Sequence, residues 1–212
     1  MNFDKARHNM VTQQVRSWDV INKDILNAML NIQREEFVQV AQRKLAFADL
    51  NLPIGNRQSM MKPVIEGRML QAINPDKTLE VLEVGTGSAY VTALLAHLCH
   101  HVTSIDCHAS FVQSAQVKLK ENNINNVTLI EADFYAFDNQ QKFDRVVITG
   151  GLSSVPDFVF NWLKPNGEVF AIVGKEPIME ARIYKSSNDY KAHFDTTVEA
   201  LSNIKSTNTF EL

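Results

Sequence analysis

Leu79-Glu80-Val81-Leu82-Glu83-Val84-Gly85-Thr86-Gly87-Ser88-Ala89-Tyr90 is the segment on which the architecture turns. Leu79–Val84 reads as a short apolar strand, and Tyr90–Leu98, rich in Ala and Leu, as a helix. Glycines at 85 and 87 allow a tight turn between them and close approach of a ligand to the backbone. Downstream, Val102–Ile105, Val127–Ile130, Phe143–Thr149 and Glu168–Val173 read as further strands. A helix carrying Phe111, Val112, Ala115 and Leu119 on one stripe and a second helix at Phe158–Leu163 alternate with them. Asn122–Asn126 and Pro165-Asn166-Gly167 are turns. Strand–helix alternation at this spacing predicts an α/β fold, a doubly wound and mostly parallel sheet. Ala181–Tyr184 and Phe194–Leu201 alternate with period two and are expected as antiparallel edge strands.

Upstream, residues 4–50 read as helical. Met10, Val11 and Val15 share one face, and Ile25, Leu26, Met29 and Leu30 another, with Asn22 placed as a helix cap. Residues 51–62 hold a Pro and a Gly without helical period and are expected to form a loop. Pro63 suits the first turn of the next helix, whose apolar face is Ile65, Met69, Ala72 and Ile73. The expected division is an N-terminal helical region with its loop, 1–62, and a core, 63–212.

The 212 residues are 45% apolar and 21% charged, which is ordinary for a globular chain. A net charge of −3 and a pI near 6.1 supply no basic excess for a phosphate backbone, so nucleic acid is not expected as a partner. No stretch has the apolar length of a membrane span, and Met1–His8 is polar, unlike a signal peptide. Cys99 and Cys107 are too few for a disulfide framework and are expected as reduced, semi-buried thiols. A cytoplasmic location is the expectation.

Gly85-Thr86-Gly87 lies where ligands bind in a doubly wound sheet, at the carboxyl end of a strand. Asp106 ends the next strand, 19 residues after Gly87, and can accept hydrogen bonds from ribose hydroxyls. Asp133 ends the third strand; it can accept from an adenine amino group while Phe134 packs on the base. Either acid alone is more simply a strand-terminal cap; together they point to an adenosine site. Tyr90 stands where a dinucleotide fingerprint needs its third glycine, so the pyrophosphate of NAD or FAD finds no close helix start. A sulfonium cofactor carries no phosphate and has no such need.

The loop Glu83-Val84-Gly85-Thr86-Gly87-Ser88-Ala89-Tyr90 resembles the first motif of the protein-L-isoaspartate O-methyltransferase family. Met10-Val11-x-Gln13-Gln14-x-Arg16, Arg34-Glu35-Glu36-Phe37-Val38 and Ala46-Phe47-Ala48-Asp49-x-x-Leu52-Pro53-Ile54-Gly55 are also similar to blocks of that family. The resemblance runs from about residue 4 to residue 175. It implies a Rossmann-like methyltransferase using S-adenosylmethionine, with methyl transfer to L-isoaspartyl or D-aspartyl carboxylates as protein repair. It also implies that Gly85, Thr86, Gly87, Ser88, Asp106, Cys107, Asp133 and Phe134 contact the cofactor, and that loop 53–62 lies over the acceptor side.

Departures from the pattern bear on the acceptor. The family's Gly-Gln-Thr-Ile-Ser-x-Pro reads here Arg57-Gln58-Ser59-Met60-Met61-Lys62-Pro63. Met61 takes the place of the active-site Ser and Ser59 that of the Thr, making these the candidate acceptor-loop residues. A thioether has no proton to donate, and Met60-Met61 offers an apolar, adaptable surface. A second reading is therefore methylation of another acceptor, such as an apolar or aromatic small molecule; a third is a non-catalytic cofactor-binding or interaction protein. Ala89 replaces the motif's last glycine, a mild change if its φ is negative. Gly150-Gly151 replace small Ala residues. His97 and His101, spaced i,i+4, lack completing ligands and are expected to be structural rather than to hold a metal.

Overall fold

The computed structural model describes residues 1–202. Helix α1, Phe3–Asn9, is capped by the Asn2 side chain, which accepts from Lys5 N at 2.9 Å. It widens into a π-helical turn over Met10–Val15 and tightens into a 3-10 turn over Arg16–Trp18, ending at left-handed Asp19. Met10, Val11 and Val15 are buried along this path, as their spacing suggests. Asn22 caps α2, Lys23–Asn31, accepting from Asp24 N and Ile25 N. On α2, Ile25 and Met29 are buried whereas Leu26 and Leu30 are only partly covered. Beyond it the helical expectation fails: Arg34–Glu36 and Val40–Leu45 are 3-10 turns.

Residues 51–62 are not a loop but a small hairpin, β1 Leu52–Gly55 and β2 Gln58–Met60. Asn56 and Arg57 both have positive φ, the two-residue geometry that matches strand twist. Strands of four and three residues, one containing Pro53, are too short to show a period. Pro63 opens α3, Pro63–Ile73, as expected. The strands and helices that follow are β3 Glu80–Val84, α4 Tyr90–Leu98, β4 His101–Asp106, α5 Ala109–Glu121, β5 Val127–Glu131, β6 Phe143–Leu152, β7 Leu163–Lys175, β8 Ile178–Ser186 and β9 Asp189–Asp195.

The large sheet has the order β5-β4-β3-β6-β7-β8-β9, parallel from β5 to β7 and antiparallel from β7 to β9. From β3 the chain winds outward through β4 and β5, then returns to lay β6 on the other side of β3. The strand order therefore reverses at β3, and the carboxyl ends of β3 and β6 flank the switch point. Val81 faces a core shared with Met10, Ile25, Phe37, Met61 and Leu94; its neighbours Leu82 and Val84 face a second core with Ile148 and Trp162. That alternation is the period of a strand covered on both faces.

Two expected elements differ. Asp157–Trp162 is a 3-10 segment rather than an α-helix; Phe158 and Trp162 pack with Phe134 at centroid distances of 5.3–5.9 Å. Pro156 and Pro165 leave too little chain between them for a sustained helix. The last strand is Asp189–Asp195 rather than 194–201, and residues 196–202 turn back across the end of β6.

Ala89 caps α4 at φ +68°, so the condition for a mild substitution is not met. A left-handed residue with a Cβ costs about 1–2 kcal/mol, and one buried methyl returns about 0.8 kcal/mol. Ala89→Gly is expected to raise stability by about 0.5–1 kcal/mol, and Ala89→Val to lower it. Denaturant unfolding of the three proteins checks this; a Gly variant less stable than the parent would show that the methyl's packing outweighs its strain.

Candidate functional site

The turn after β3 is set by hydrogen bonds to the neighbouring strand. Gly85 N and Thr86 N both donate to Ile105 O, at 2.8 and 3.3 Å. Gly85 has φ +101°, and a Cβ there would meet the Thr149 hydroxyl at 2.4 Å. That hydroxyl points to the carbonyls of Val84 and Gly85 at 3.0 and 2.9 Å, so a side chain at 85 is excluded twice.

Beneath the turn lies the fully buried carboxyl of Glu83. Its Oε2 accepts from Thr92 Oγ1 at 2.5 Å and Ser104 Oγ at 2.6 Å, and Ser104 Oγ lies 2.6 Å from Thr86 Oγ1. Burial pushes this carboxyl up to about 8, more than the two hydroxyls pull it down. Among the described residues its Oε1 has no hydrogen-bond partner.

Asp106 closes β4 with both oxygens held by the backbone: Oδ2 accepts from Gly87 N at 3.0 Å and Oδ1 from His108 N at 2.9 Å. One acid thus locks the glycine turn to the end of the neighbouring strand. Cys107 beside it is half-buried, and burial, then the charge of Asp106, pushes its thiol up. Asp133 behaves differently. Its Oδ1 accepts from Tyr135 N at 2.8 Å and caps the turn Phe134–Ala136. Ala132 and Phe134, its neighbours, line the crevice; Asp133 itself does not.

A crevice of about 810 Å³, open solvent included, joins these parts. It brings together Gly85, Thr86, Gly87, Ser88, Asp106, Cys107 and Phe134 with Ser59 and Met61 from the hairpin side. Met60 and Met61 are largely covered, so they serve both as wall and as core. The Met61 carbonyl accepts from Arg34 Nη2 at 2.6 Å, which fixes the exit of the hairpin.

A third wall, not expected from local sequence pattern, is formed by Val198, Glu199, Leu201 and Ser202. This strap is pinned to β6: Gly151 N donates to Glu199 O at 2.9 Å and Leu201 N to Gly151 O at 3.0 Å. A Cβ at Gly150 would lie 2.8 Å from Leu201 Cα. The double glycine was the available signal, since it marks a close backbone approach. Ser59 donates its hydroxyl to the Glu199 carboxylate, and Gln58 Nε2 donates to Ala200 O at 3.3 Å.

The histidines near the end of α4 do not converge; His101 Nε2 lies 2.9 Å from Thr128 Oγ1. Among the described residues, the three potential metal ligands brought within 4.8 Å are Asp106, Cys107 and His108. Both Asp106 oxygens there already accept a backbone N–H.

A mostly parallel seven-stranded sheet, a glycine turn after β3, an acid closing β4 and a crevice at the switch point define a Rossmann-like fold of the methyltransferase type. The model of the protein-L-isoaspartate(D-aspartate) O-methyltransferase family matches residues 5–202, and the chain belongs to that family. Its sequence is 33% identical to the protein-L-isoaspartate O-methyltransferase of Roseobacter denitrificans over 85% of both chains. With protein-L-isoaspartate O-methyltransferase 1 of Pelobacter propionicus it shares 31% over 93% of both. In fold it is similar to a Plasmodium falciparum protein assigned as a protein-L-isoaspartate O-methyltransferase, solved with S-adenosyl-L-homocysteine. The TM-score is 0.80 at 17% identity, covering 92% of this chain and 97% of that one. Among the described residues, no helix is long and apolar enough to cross a membrane.

The Glu83 proton gives a pH signature. The folded protein holds it more tightly than the unfolded chain, where a glutamate titrates near 4.5. Its contribution to stability is complete below about 4.5 and is lost as pH rises toward about 8. Glu83→Gln stays neutral throughout and keeps an acceptor for Thr92 and Ser104. Its unfolding free energy is expected to fall less than that of the parent between these limits. Equal slopes in denaturant titrations across the window would refute the assignment.

Proposed function

We propose that the protein transfers the methyl group of S-adenosylmethionine to the free carboxylate of L-isoaspartyl or D-aspartyl residues in proteins or peptides. The observation that carries this reading is one continuous crevice between the Gly85–Gly87 turn with Asp106 and the Ser59–Met61 wall, in a chain of this family.

The residues present suit the cofactor. The turn at 85–87 carries no side chain beyond Cβ except Thr86, whose hydroxyl is tied back to Ser104. That leaves bare backbone along one wall, and Asp106 offers its remaining lone pairs to ribose hydroxyls. Phe134 and Ala132 supply an apolar face for the base; Asp133, bound to Tyr135 N, reaches an adenine amino group only with lone pairs that this cap leaves free. When bound, S-adenosylmethionine supplies an electrophilic methyl group on a sulfonium sulfur. An isoaspartyl carboxylate arrives ionised, so no side chain here has to remove a proton. The chain's contribution is to place the acceptor oxygen in line with the methyl and to exclude water, and placement alone is a large rate factor. Residues 1–62 contribute the acceptor-side hairpin to this division of labour, and the part from residue 63 the cofactor side and the strap.

Asp106→Ala is expected to weaken S-adenosylmethionine binding by about 1.5–3 kcal/mol, the range for hydrogen bonds to a charged group. Titration calorimetry tests it, and absence of binding by the parent protein would end the cofactor assignment.

Met61 is expected to slow transfer to isoaspartyl peptides relative to a Ser-containing family member, because it offers no hydroxyl to the reacting carboxylate. One such donor is worth up to about 10²–10³ in rate, and Met61→Ser should recover part of it. Turnover of one isoaspartyl peptide at saturating cofactor by parent, variant and a Ser-containing relative decides the matter. Parent turnover equal to the relative's would show that the hydroxyl is dispensable.

A further inference from the structure

Three acidic side chains line the crevice, Glu66, Asp106 and Glu199, and among the described residues neither Lys nor Arg does. Glu66 is neutralised by Arg34, with Nε to Oε2 at 3.0 Å and Nη2 to Oε1 at 3.1 Å. Asp106 is held by two backbone N–H groups on the cofactor side. Glu199 differs from both: it stands on the acceptor side, half-buried, and its carboxylate takes the hydrogen of the Ser59 hydroxyl. A hydroxyl has a single O–H to give. A substrate carboxylate reaching Ser59 therefore meets one already in place, with like charge and, among the described lining residues, no Lys or Arg to offset it.

We infer that Glu199 is a specificity-determining residue of the acceptor site: its carboxylate holds the Ser59 hydroxyl in the position of the substrate carboxylate, and an anionic acceptor gains the site only by displacing it. The inference rests on the isoaspartyl reading above. The strap's main chain is fixed by its two bonds to Gly151, and Val198 and Leu201 pack beneath it. Displacement is thus a rotation of the Glu199 side chain toward solvent rather than a lifting of the strap. Acceptors with a lower charge, or with a neighbouring cation that can pair with Glu199, are favoured over acidic ones. Glu199 acts on acceptor binding and leaves the cofactor side untouched.

Glu199→Gln removes the charge and keeps a hydrogen-bonding group of the same size; Glu199→Ala removes both. With one acidic isoaspartyl peptide at saturating S-adenosylmethionine, KM is expected to fall about tenfold or more in the Ala variant and by less in the Gln variant, because like-charge contacts are costly. The value of kcat should change little, and S-adenosylhomocysteine affinity by calorimetry should stay level. An unchanged or raised KM in the Ala variant overturns the inference. If none of the proteins turns the peptide over, the isoaspartyl activity fails, and peptide affinity measured with S-adenosylhomocysteine present still decides the role of Glu199. Tighter binding by the Ala variant upholds it, and equal or absent binding in both overturns it. Melting temperatures identify a variant that has lost its fold, and the near-isosteric Gln variant then carries the comparison.

Discussion

The buried carboxyl of Glu83 is the joint on which the cofactor side of this molecule depends. It sits on β3, binds Thr92 on α4 and Ser104 on β4, and through Ser104 reaches Thr86 in the glycine turn. Four segments that must keep a fixed relation for a ligand to lie between them are tied to one side chain. A carboxyl withdrawn from water would ordinarily be a poor choice, since charge burial is expensive. Here burial raises the carboxyl's pKa to about 8, which lowers the cost by favouring its neutral form, and two short bonds from hydroxyls give the group a defined orientation. Asp106 performs the outward half of the same task, closing the turn from the side that faces the crevice.

A second buried charge, Arg34, does for the acceptor side what Glu83 does for the cofactor side. Its guanidinium is fully enclosed and pairs in two places with Glu66 on α3 through Nε and Nη2, while Nη1 donates to the carbonyl of Ala46 and Nη2 also to that of Met61, both at 2.6 Å. Tyr90 lies against it, 5.4 Å from ring centre to guanidinium carbon. The planar fork of arginine suits this role, because it can meet one carboxylate and two carbonyls in fixed directions. Removing one member of such a pair leaves an uncompensated buried charge, which typically costs about 3–5 kcal/mol. The exit of the hairpin is thus positioned by the core rather than by its own two short strands. The Met60–Met61 wall inherits that rigidity even though its side chains are adaptable.

The acceptor side is consequently built from pieces with different histories in the chain. Met60 and Met61 are apolar wall and core at once. Glu199 arrives from the far end of the described residues and brings charge to a wall that otherwise has little. The crevice is apolar near the hairpin, acidic at the strap and without a lining cation among the described residues. The family's chemistry is compatible with such a site, because an ionised acceptor needs placement more than proton transfer.

Much of the core was legible in local pattern. The bounds of α4, the glycine turn, Pro63 at the head of α3 and the Asn22 cap each follow from a neighbour-scale rule: period, φ preference or side-chain reach. Asp106 was legible too, because the end of the strand that follows the turn and its helix has a fixed place in a doubly wound sheet. The hairpin at 52–60 escaped because its strands are shorter than any period. Asp133 was assigned to a ligand, whereas its nearest claim is the backbone of Tyr135, a competition that spacing does not reveal. The sign of φ at Ala89 depended on how α4 docks on β3. The Ser59–Glu199 contact spans 140 positions and forms only because β8 and β9 return the chain to the end of β6, where Gly150 and Gly151 leave room for it. Sequence by itself determined the strand–helix alternation of the core, the parallel sheet and the glycine turn, since these rest on forces acting between near neighbours. Only the tertiary structure decided which carboxylate stands at the acceptor wall, because that depends on the path of the sheet's far edge, and no local preference encodes it.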